Sequence, residues 1–156
     1  MLENLKNKLE YYQITNFTID EIIMGRKIPE PLLWNILPTI RVLQALRKKY
    51  DKPIIINSTY RSPSYNKLVG GSKSSLHLEF NAIDFTVKDK EYLRNLFLQL
   101  HIWDKEYHFK FLPKAGSMGI GFYENRFIHL DTRATLKRLA PERWWKKPER
   151  FFNRSP

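Results

Sequence analysis

The chain contains four histidines and no cysteine, which limits the metal chemistry open to it. Without thiolates, a metal ion would have to be held by imidazole nitrogens and carboxylate oxygens. His77 and Asp84 are separated by six residues, and His129 lies much later in the chain. A catalytic zinc ion takes about three such ligands and keeps a fourth position open, from which it polarises a carbonyl group and lowers the pKa of water. Two imidazoles and one carboxylate from distant segments are therefore a candidate set.

The same side chains also have ordinary structural roles, so their spacing alone does not single out a metal site. Asp84, flanked by apolar residues, could hydrogen-bond a neighbouring loop, and His129 could be a half-buried histidine with satisfied nitrogens. His101 falls at the end of an amphipathic segment, where it suits a helix dipole. His108 is either a packing or surface residue or a proton carrier, because its aromatic loop could reach a cleft.

Residues 1–50 are predicted to form helices. Thr18 and Glu21 have the spacing of a capping box, in which the two residues cap each other's backbone N–H groups. Apolar residues recur at helical spacing between residues 30 and 50. Pro38 should kink this second helix or restart it.

Short strands are predicted where β-branched or alternating apolar residues stand between turn residues. The segments are residues 52–57, taken as a buried strand, and residues 82–87, 119–123 and 126–131. Alternation along a strand puts Asp84 on the face opposite Ile83, and it puts His129 on the same face as Asp131. The last two segments, joined by a turn, are expected to form a β-hairpin.

A long polar loop is predicted at residues 58–75, with one helical turn at 63–69. Long loops inside compact domains are usually functional. An amphipathic helix is predicted at residues 89–101. Together these elements indicate an α+β fold, a single domain in which a small, mainly antiparallel sheet packs with helices.

The 156 residues include 27 basic and 16 acidic ones, a net charge of +11, which favours an anionic partner. Residues 133–156 contribute +6 of that charge. This tail mixes cations with aromatics and could grip an anionic polymer, a lipid headgroup or nucleic acid. We expect instead that its aromatic side chains pack on the domain while the charges face outward. These aromatics are Trp144, Trp145, Phe151 and Phe152.

Composition and hydropathy exclude other classes of protein. With 42% hydrophobic residues the chain has enough apolar mass for a core, unlike a disordered chain. No apolar run approaches the roughly 20 residues that a transmembrane helix requires. The first residues alternate charge with leucine and lack the apolar segment of a signal peptide, so we expect synthesis in the cytoplasm without such a signal.

Four motifs then follow one another along the chain. They are Ser-Thr-Tyr-Arg-Ser-Pro-Ser-Tyr-Asn at 58–66, Val-Gly-Gly-Ser-Lys-Ser-Ser-Leu-His at 69–77, Asn-Ala-Ile-Asp-Phe at 81–85, and Gly-Ile-Gly-Phe-Tyr with Phe-Ile-His-Leu-Asp across 119–131. Together they resemble the zinc D-alanyl-D-alanine carboxypeptidase and murein endopeptidase family. That family includes bacterial cell-wall enzymes, vancomycin-resistance dipeptidases and phage endolysins, and it shares its fold with the sonic hedgehog domain.

The resemblance covers about residues 50–133. It implies one zinc peptidase domain over residues 1–156, with the N-terminal helices at 1–50 and a basic, aromatic C-terminal tail at 134–156.

The resemblance also implies one zinc ion per chain, held by His77, Asp84 and His129. Arg61 matches the arginine that holds the substrate's carbonyl oxygen or terminal carboxylate, a role that suits the two parallel donors of a guanidinium group. Its alternative role is an ion pair that anchors the loop. Ser75 matches the family serine beside the substrate, or it is a turn or cap hydroxyl.

Two departures from the family pattern matter. Phe80 stands where the family usually has glycine, so we expect no positive φ at that position. The positions at which family members carry a catalytic base are Arg126 and Phe127 here. We therefore predict Asp131 as the base, or as the residue that orients His129, with His108 as the alternative base.

These expectations point to a zinc-dependent peptidase that hydrolyses peptidoglycan stem peptides, as a carboxypeptidase or an endopeptidase. Anionic wall polymers are possible further partners, and no specific nucleic acid is expected. The chain would act on the cell wall after release from the cell or in a phage context, as a lytic enzyme does. Two alternatives remain: a wall-binding module that keeps the fold without the catalysis, and a nucleic-acid-binding protein suggested by the positive charge.

Overall fold

The computed structural model describes residues 1–138 and 140–146. Its α-helices are α1 (Leu2–Tyr11), α2 (Ile19–Ile23), α3 (Leu37–Tyr50), α4 (Pro63–Leu68) and α5 (Leu93–Lys105). Short 3-10 helices lie at Glu30–Leu32, Lys90–Tyr92 and Arg133–Leu136. Its strands are β1 (Ile55–Ser58), β2 (Ala82–Thr86), β3 (Gly119–Tyr123), β4 (Phe127–Asp131) and β5 (Glu142–Lys146).

The five strands form one sheet in the order β1-β2-β4-β3-β5. β1 with β2, β2 with β4, and β4 with β3 are antiparallel pairs, whereas β5 lies parallel to β3. The predicted α+β fold with a mainly antiparallel sheet is confirmed, as is the hairpin of β3 and β4. β5 was not predicted. Its residues fall in the segment predicted as a tail, and its pairing with β3 depends on a contact distant in sequence.

The sheet separates an apolar face from a polar one. Ile83 pairs with Leu130, and Phe85 pairs with Ile128, so these four buried side chains share a face. They belong to one hydrophobic core that also takes in α1, α2, α3 and α5. Full burial of such a side chain stabilises the fold by about 1.5–3 kcal/mol. Because this face carries the core, the opposite face is left for Asp84 and its neighbours.

Local chemistry explains the N-terminal helices. Glu21 N donates to Thr18 Oγ1 at 3.2 Å and Thr18 N donates to Glu21 Oε2 at 2.7 Å, so the predicted capping box is confirmed. Pro38 lies in the first turn of α3, where its missing N–H costs no helical hydrogen bond. The predicted helix over residues 30–50 is therefore a 3-10 turn followed by a restart at Leu37.

The strand predicted at residues 52–57 is shifted and only partly buried. β1 begins at Ile55 and occupies one edge of the sheet. Ile55 is 50% exposed, whereas Ile54 and Ile56 are buried. The prediction of a buried strand is wrong because Ile55 lies on the face opposite Ile54 and Ile56, and that face is open to solvent at this edge of the sheet. The helical turn predicted at 63–69 is confirmed as α4.

Within the described part of the chain, none of the helices has the length and apolar character needed to cross a bilayer. The predicted packing of the side chains of Trp145, Phe151 and Phe152 lies outside what the structure describes.

Candidate metal centre

His77, Asp84 and His129 come together on the polar face of the sheet. One ligand atom from each lies within 4.8 Å of the other two, and all three residues are buried. Asp84 Oδ1 lies 2.9 Å from His129 Nδ1 and 3.1 Å from His77 Nε2. Asp84 and His129 are direct partners across β2 and β4, while His77 enters from the loop before β2. A bulge in β1 also sets Ser58 opposite Asp84.

A backbone contact fixes which nitrogen His77 presents. Its Nδ1 lies 2.5 Å from the carbonyl oxygen of Thr59, which can only accept, so Nδ1 carries the proton. Nε2 is then bare, and it is buried without a hydrogen-bond partner, because its neighbour at 3.1 Å, Asp84 Oδ1, can only accept as well. Buried polar atoms without partners are rare, and a metal ion would satisfy this one. Histidines that bind metals characteristically donate the other N–H to a carbonyl or carboxylate, as His77 does.

The turn after His77 corrects one prediction. Phe80 has φ +51°, so the expectation that this position avoids a positive φ is wrong. The chain reverses here, with Phe80 N donating to His77 O and Asn81 N donating to Leu76 O. Such a conformation costs a bulky residue about 1–3 kcal/mol. The Phe80 ring is fully buried and makes an edge contact with Tyr60, and this packing offsets the strain.

A carboxylate fixes the orientation of His129. Nε2 of His129 lies 2.9 Å from Asp131 Oδ2, leaving Nδ1 directed at Asp84. Asp131 is fully buried. Its two oxygens also accept from Gly119 N at 3.2 Å and from Arg133 through N, Nε and Nη2 at 3.1, 2.9 and 2.7 Å. Every oxygen of Asp131 is therefore engaged, which favours the orienting role over that of a base.

The charges of the cluster support one another. Burial would lower the pKa of His129, but its hydrogen bonds to Asp131 and Asp84 outweigh burial and raise the pKa to about 9. Burial alone would raise the pKa of Asp131, but His129 and Arg133 hold it down at about 2. The pKa of Asp84 is lowered in the same way, because its two histidines outweigh burial. Burial lowers the pKa of His77, in keeping with a neutral ring.

Arg61 connects the cluster to a cavity. Its Nη2 lies 2.8 Å from Asp84 Oδ2 and its Nε donates to Ser58 Oγ at 3.2 Å, so it forms the ion pair considered from the sequence. Arg61 and Asp84 both line a cavity of about 260 Å³. Arg26 and Tyr65 line it as well, with the guanidinium of Arg26 4.6 Å from the centre of the Tyr65 ring. The buried cluster thus opens onto a cationic space.

Ser75 lies next to the cluster but turns towards the backbone. Its Oγ accepts from His77 N at 3.3 Å, which is the turn or cap role. His108 is not brought to the cluster. It is exposed and stacks on Trp103 of α5 at 5.0 Å, and α5 packs on the core face through a contact between Phe97 and Phe122. The sheet stands between His108 and the metal ligands.

Two glycines and an arginine complete the centre and were not predicted. Gly119 and Gly121 face the site, because they pair with Asp131 and His129. A Cβ at 119 would overlap the side chains of Arg133 and Asp131, and one at 121 would overlap Trp144. The Gly-Ile-Gly pattern was a visible signal, since two glycines on one strand face mark a close approach. No local pattern pointed to Arg133.

Comparison with known proteins agrees with this geometry. The family model for Peptidase M15 matches residues 15–131, three quarters of the chain, and so extends well into the N-terminal helices. A search of curated proteins gave no match. The family match includes the three clustered residues and the loop that carries Arg61. The chain belongs to the Peptidase M15 family, whose members are zinc-dependent metallopeptidases.

Proposed function

We propose that this protein is a zinc-dependent peptidase that hydrolyses peptide bonds in peptidoglycan stem peptides. The single observation that carries the proposal is the buried, unpartnered Nε2 of His77, which converges with Asp84 and His129 beside an open cavity. A structural histidine would have had both nitrogens satisfied. The domain proposed to do this comprises residues 1–156.

The residues present fit a zinc ion. His77 Nε2, Asp84 and His129 Nδ1 would hold it, and Thr59 O and Asp131 already fix the two imidazoles from behind. A zinc ion held there supplies a Lewis acid for the substrate carbonyl and for water. We assign Asp131 to orienting His129, since its oxygens accept five hydrogen bonds and it is fully buried.

Arg61 is proposed to bind the substrate. Nε and Nη2 of its guanidinium contact Ser58 and Asp84, while Nη1 has no hydrogen bond to the described residues. The remaining donors can hold a carbonyl oxygen as negative charge develops on it, or a carboxylate. Preorganised donors of this kind are often worth a factor of about 10²–10³ in rate. Ser75, two residues before His77, is proposed to lie beside the bound substrate. Its hydroxyl accepts a hydrogen bond from His77 N.

The cavity favours an anionic peptide. Arg26 is exposed and stacks on Tyr65, so its charge faces the space in front of Arg61. Stem peptides offer carboxylates that two arginines can bind. The net charge of +11 adds long-range attraction to an anionic cell wall and to its anionic polymers. We therefore propose that the enzyme acts on the cell wall, after release from the cell or in a phage context.

The test is hydrolysis of purified sacculi by the zinc-loaded chain, followed by mass analysis of the released muropeptides. We expect about one zinc per chain, and loss of both zinc and turnover in His77→Ala. His108→Ala is the matched control, since it removes an exposed histidine that stacks on Trp103 away from the cluster and should keep both. A zinc-loaded protein that leaves sacculi intact yet binds them would indicate a wall-binding module. Salt-sensitive DNA binding that survives chelation and exceeds wall binding would indicate a nucleic-acid-binding protein.

A further inference from the structure

One row of residues crosses the sheet from the metal centre to the edge formed by β5. Asp84 pairs with His129, His129 pairs with Gly121, and Gly121 pairs with Trp144. Directly paired residues share a face of the sheet. Trp144 therefore stands on the same face as the two ligands, although it lies outside residues 15–131, which match the family model.

Gly121 provides the space through which the indole of Trp144 reaches His129. A Cβ at position 121 would overlap Cε2 and Nε1 of the indole. The centres of the indole and the His129 imidazole are 5.1 Å apart, with their planes inclined at 45°. This distance falls within the range of about 4.5–7 Å that is favourable for ring pairs. The indole thus packs on the ring of a candidate ligand.

The indole is itself anchored. Its Nε1–H donates to Tyr123 Oη at 3.1 Å. The guanidinium of Arg133 lies 5.8 Å from the centre of the indole ring, and Arg133 is the residue that holds Asp131 behind His129. β5 adds a second contact to the same chain of interactions, because Glu142 forms an ion pair with Arg133.

Packing on the ring supplies a restraint that hydrogen bonds do not. The hydrogen bonds of His129 act in the plane of the ring, at Nδ1 and Nε2, so they resist displacement of the imidazole out of that plane only weakly. A rigid ring against the imidazole stops that motion. It also excludes water from the hydrogen bonds of Asp131, which are stronger where the dielectric constant is low.

From these contacts we propose that Trp144 is a positioning residue of the metal centre. It holds the His129 ring so that Nδ1 faces Asp84 and His77, and it shields the hydrogen bonds among His129, Asp131 and Arg133. The inference rests on the proposed zinc site. It means that β5, beyond the matched residues, is part of the working centre.

Zinc affinity of the full-length, metal-stripped chain tests the proposal, measured by competition with a chromophoric chelator. Trp144→Ala should weaken zinc binding by about tenfold, the lower end of the effect of removing a group that supports a ligand. Trp144→Phe, which keeps an aromatic ring, should bind closer to the parent. Trp34→Ala removes a tryptophan that is 43% exposed and should leave the affinity unchanged.

Gly121→Ala gives an independent arm, because it displaces the indole without removing it. The backbone at 121 does not have a positive φ, so alanine is tolerated there apart from this overlap. We expect Gly121→Ala to weaken zinc binding as Trp144→Ala does, and the double variant to bind no more weakly than either, since both changes act on one contact. If Trp144→Ala does not fold, Gly121→Ala decides the matter.

Unchanged zinc affinity in folded Trp144→Ala and Gly121→Ala would overturn the proposal, and so would fully additive losses in the double variant. A parent that binds zinc but leaves sacculi intact would refute the peptidase function alone. In that case a weaker affinity in Trp144→Ala would still support the positioning role.

Discussion

Asp131→Asn isolates the hydrogen bond behind His129, because asparagine keeps the shape of aspartate and loses its charge. In the parent, Asp131 Oδ2 accepts from His129 Nε2 and Arg133 Nη2, while Oδ1 accepts from Gly119 N and from N and Nε of Arg133. Every surrounding group is a donor. The amide of asparagine brings a further donor into this site.

The amide of an asparagine at position 131 would keep its oxygen on the side with three donors. Its NH₂ group would then face His129, and it requires an acceptor there. The imidazole can accept at Nε2 only when its proton sits on Nδ1, the atom that faces Asp84 and His77. The substitution therefore turns the ligand into the wrong tautomer for binding a metal.

The expected loss in zinc affinity is about 10–100-fold, as for other groups that support a ligand. Stability should also fall. A hydrogen bond to a charged group contributes about 1.5–3 kcal/mol. The full cost of about 3–5 kcal/mol for an unpaired buried charge is not expected, because Glu142 also pairs with Arg133.

The assay compares zinc affinity with thermal stability and uses Gln44→Leu as the control. Gln44 is 4% exposed and accepts from Thr15 N and Asn16 N, but it belongs to α3 and has no contact with β5 or the cluster among the described residues. Its substitution should lower Tm without changing zinc affinity. The reasoning would be refuted if Asp131→Asn bound zinc as the parent does while nitrogen-detected NMR still showed the His129 proton on Nε2.

Three further predictions follow from the same contacts. Chelation of zinc should lower Tm by about 5–10 °C, since a ligand at 100 times its Kd adds about 2.7 kcal/mol and each kcal/mol shifts a domain of this size by about 2–4 °C. His77→Ala should show no such shift by differential scanning fluorimetry, and an equal shift would contradict the site. Phe80→Gly should have a free energy of unfolding in urea about 1 kcal/mol higher than that of Phe80→Ala. Both variants lose the ring, but only glycine adopts φ +51° without strain. The reverse order would show that the backbone at position 80 is not strained. Arg61→Lys should lower kcat/KM on stem peptides about 10²–10³-fold, while the protein still binds about one zinc per chain. An unchanged kcat/KM would argue against substrate binding by the guanidinium group.

The elements predicted well are those decided by neighbouring residues. Thr18 and Glu21 cap α2 through contacts three residues apart, and alternation in β2 assigned Asp84 to the correct face. β5 was not predicted, because its five residues include no β-branched side chain. Each of them also pairs in parallel with a residue 23 positions earlier in the chain, as Glu142 does with Gly119. The exposure of Ile55 was missed for a related reason. β1 lies at the edge of the sheet, and residue type does not determine which strand takes that position.

Phe80 shows where a residue-type rule failed. Glycine is favoured at a positive φ because other residues meet steric strain there. The presence of Phe at position 80 therefore predicted a negative φ. The turn instead has to return the chain from His77 to β2, and burial of the aromatic ring compensates for the strain. Such compensation comes from the tertiary packing around Tyr60, which a local rule does not contain.

The positions of the candidate ligands and the atoms they present were predictable to different degrees. The order of the motifs and the alternation along the strands predicted that His77, Asp84 and His129 lie close together. The two histidines, however, present different nitrogens to the metal site, Nε2 of His77 and Nδ1 of His129. In each ring, the acceptor of the other nitrogen's proton determines which nitrogen is presented. For His129 the acceptor is Asp131, a side chain that sequence reasoning could nominate. For His77 it is the carbonyl of Thr59, and since every residue has a carbonyl, only the fold can single out the one that fixes the tautomer.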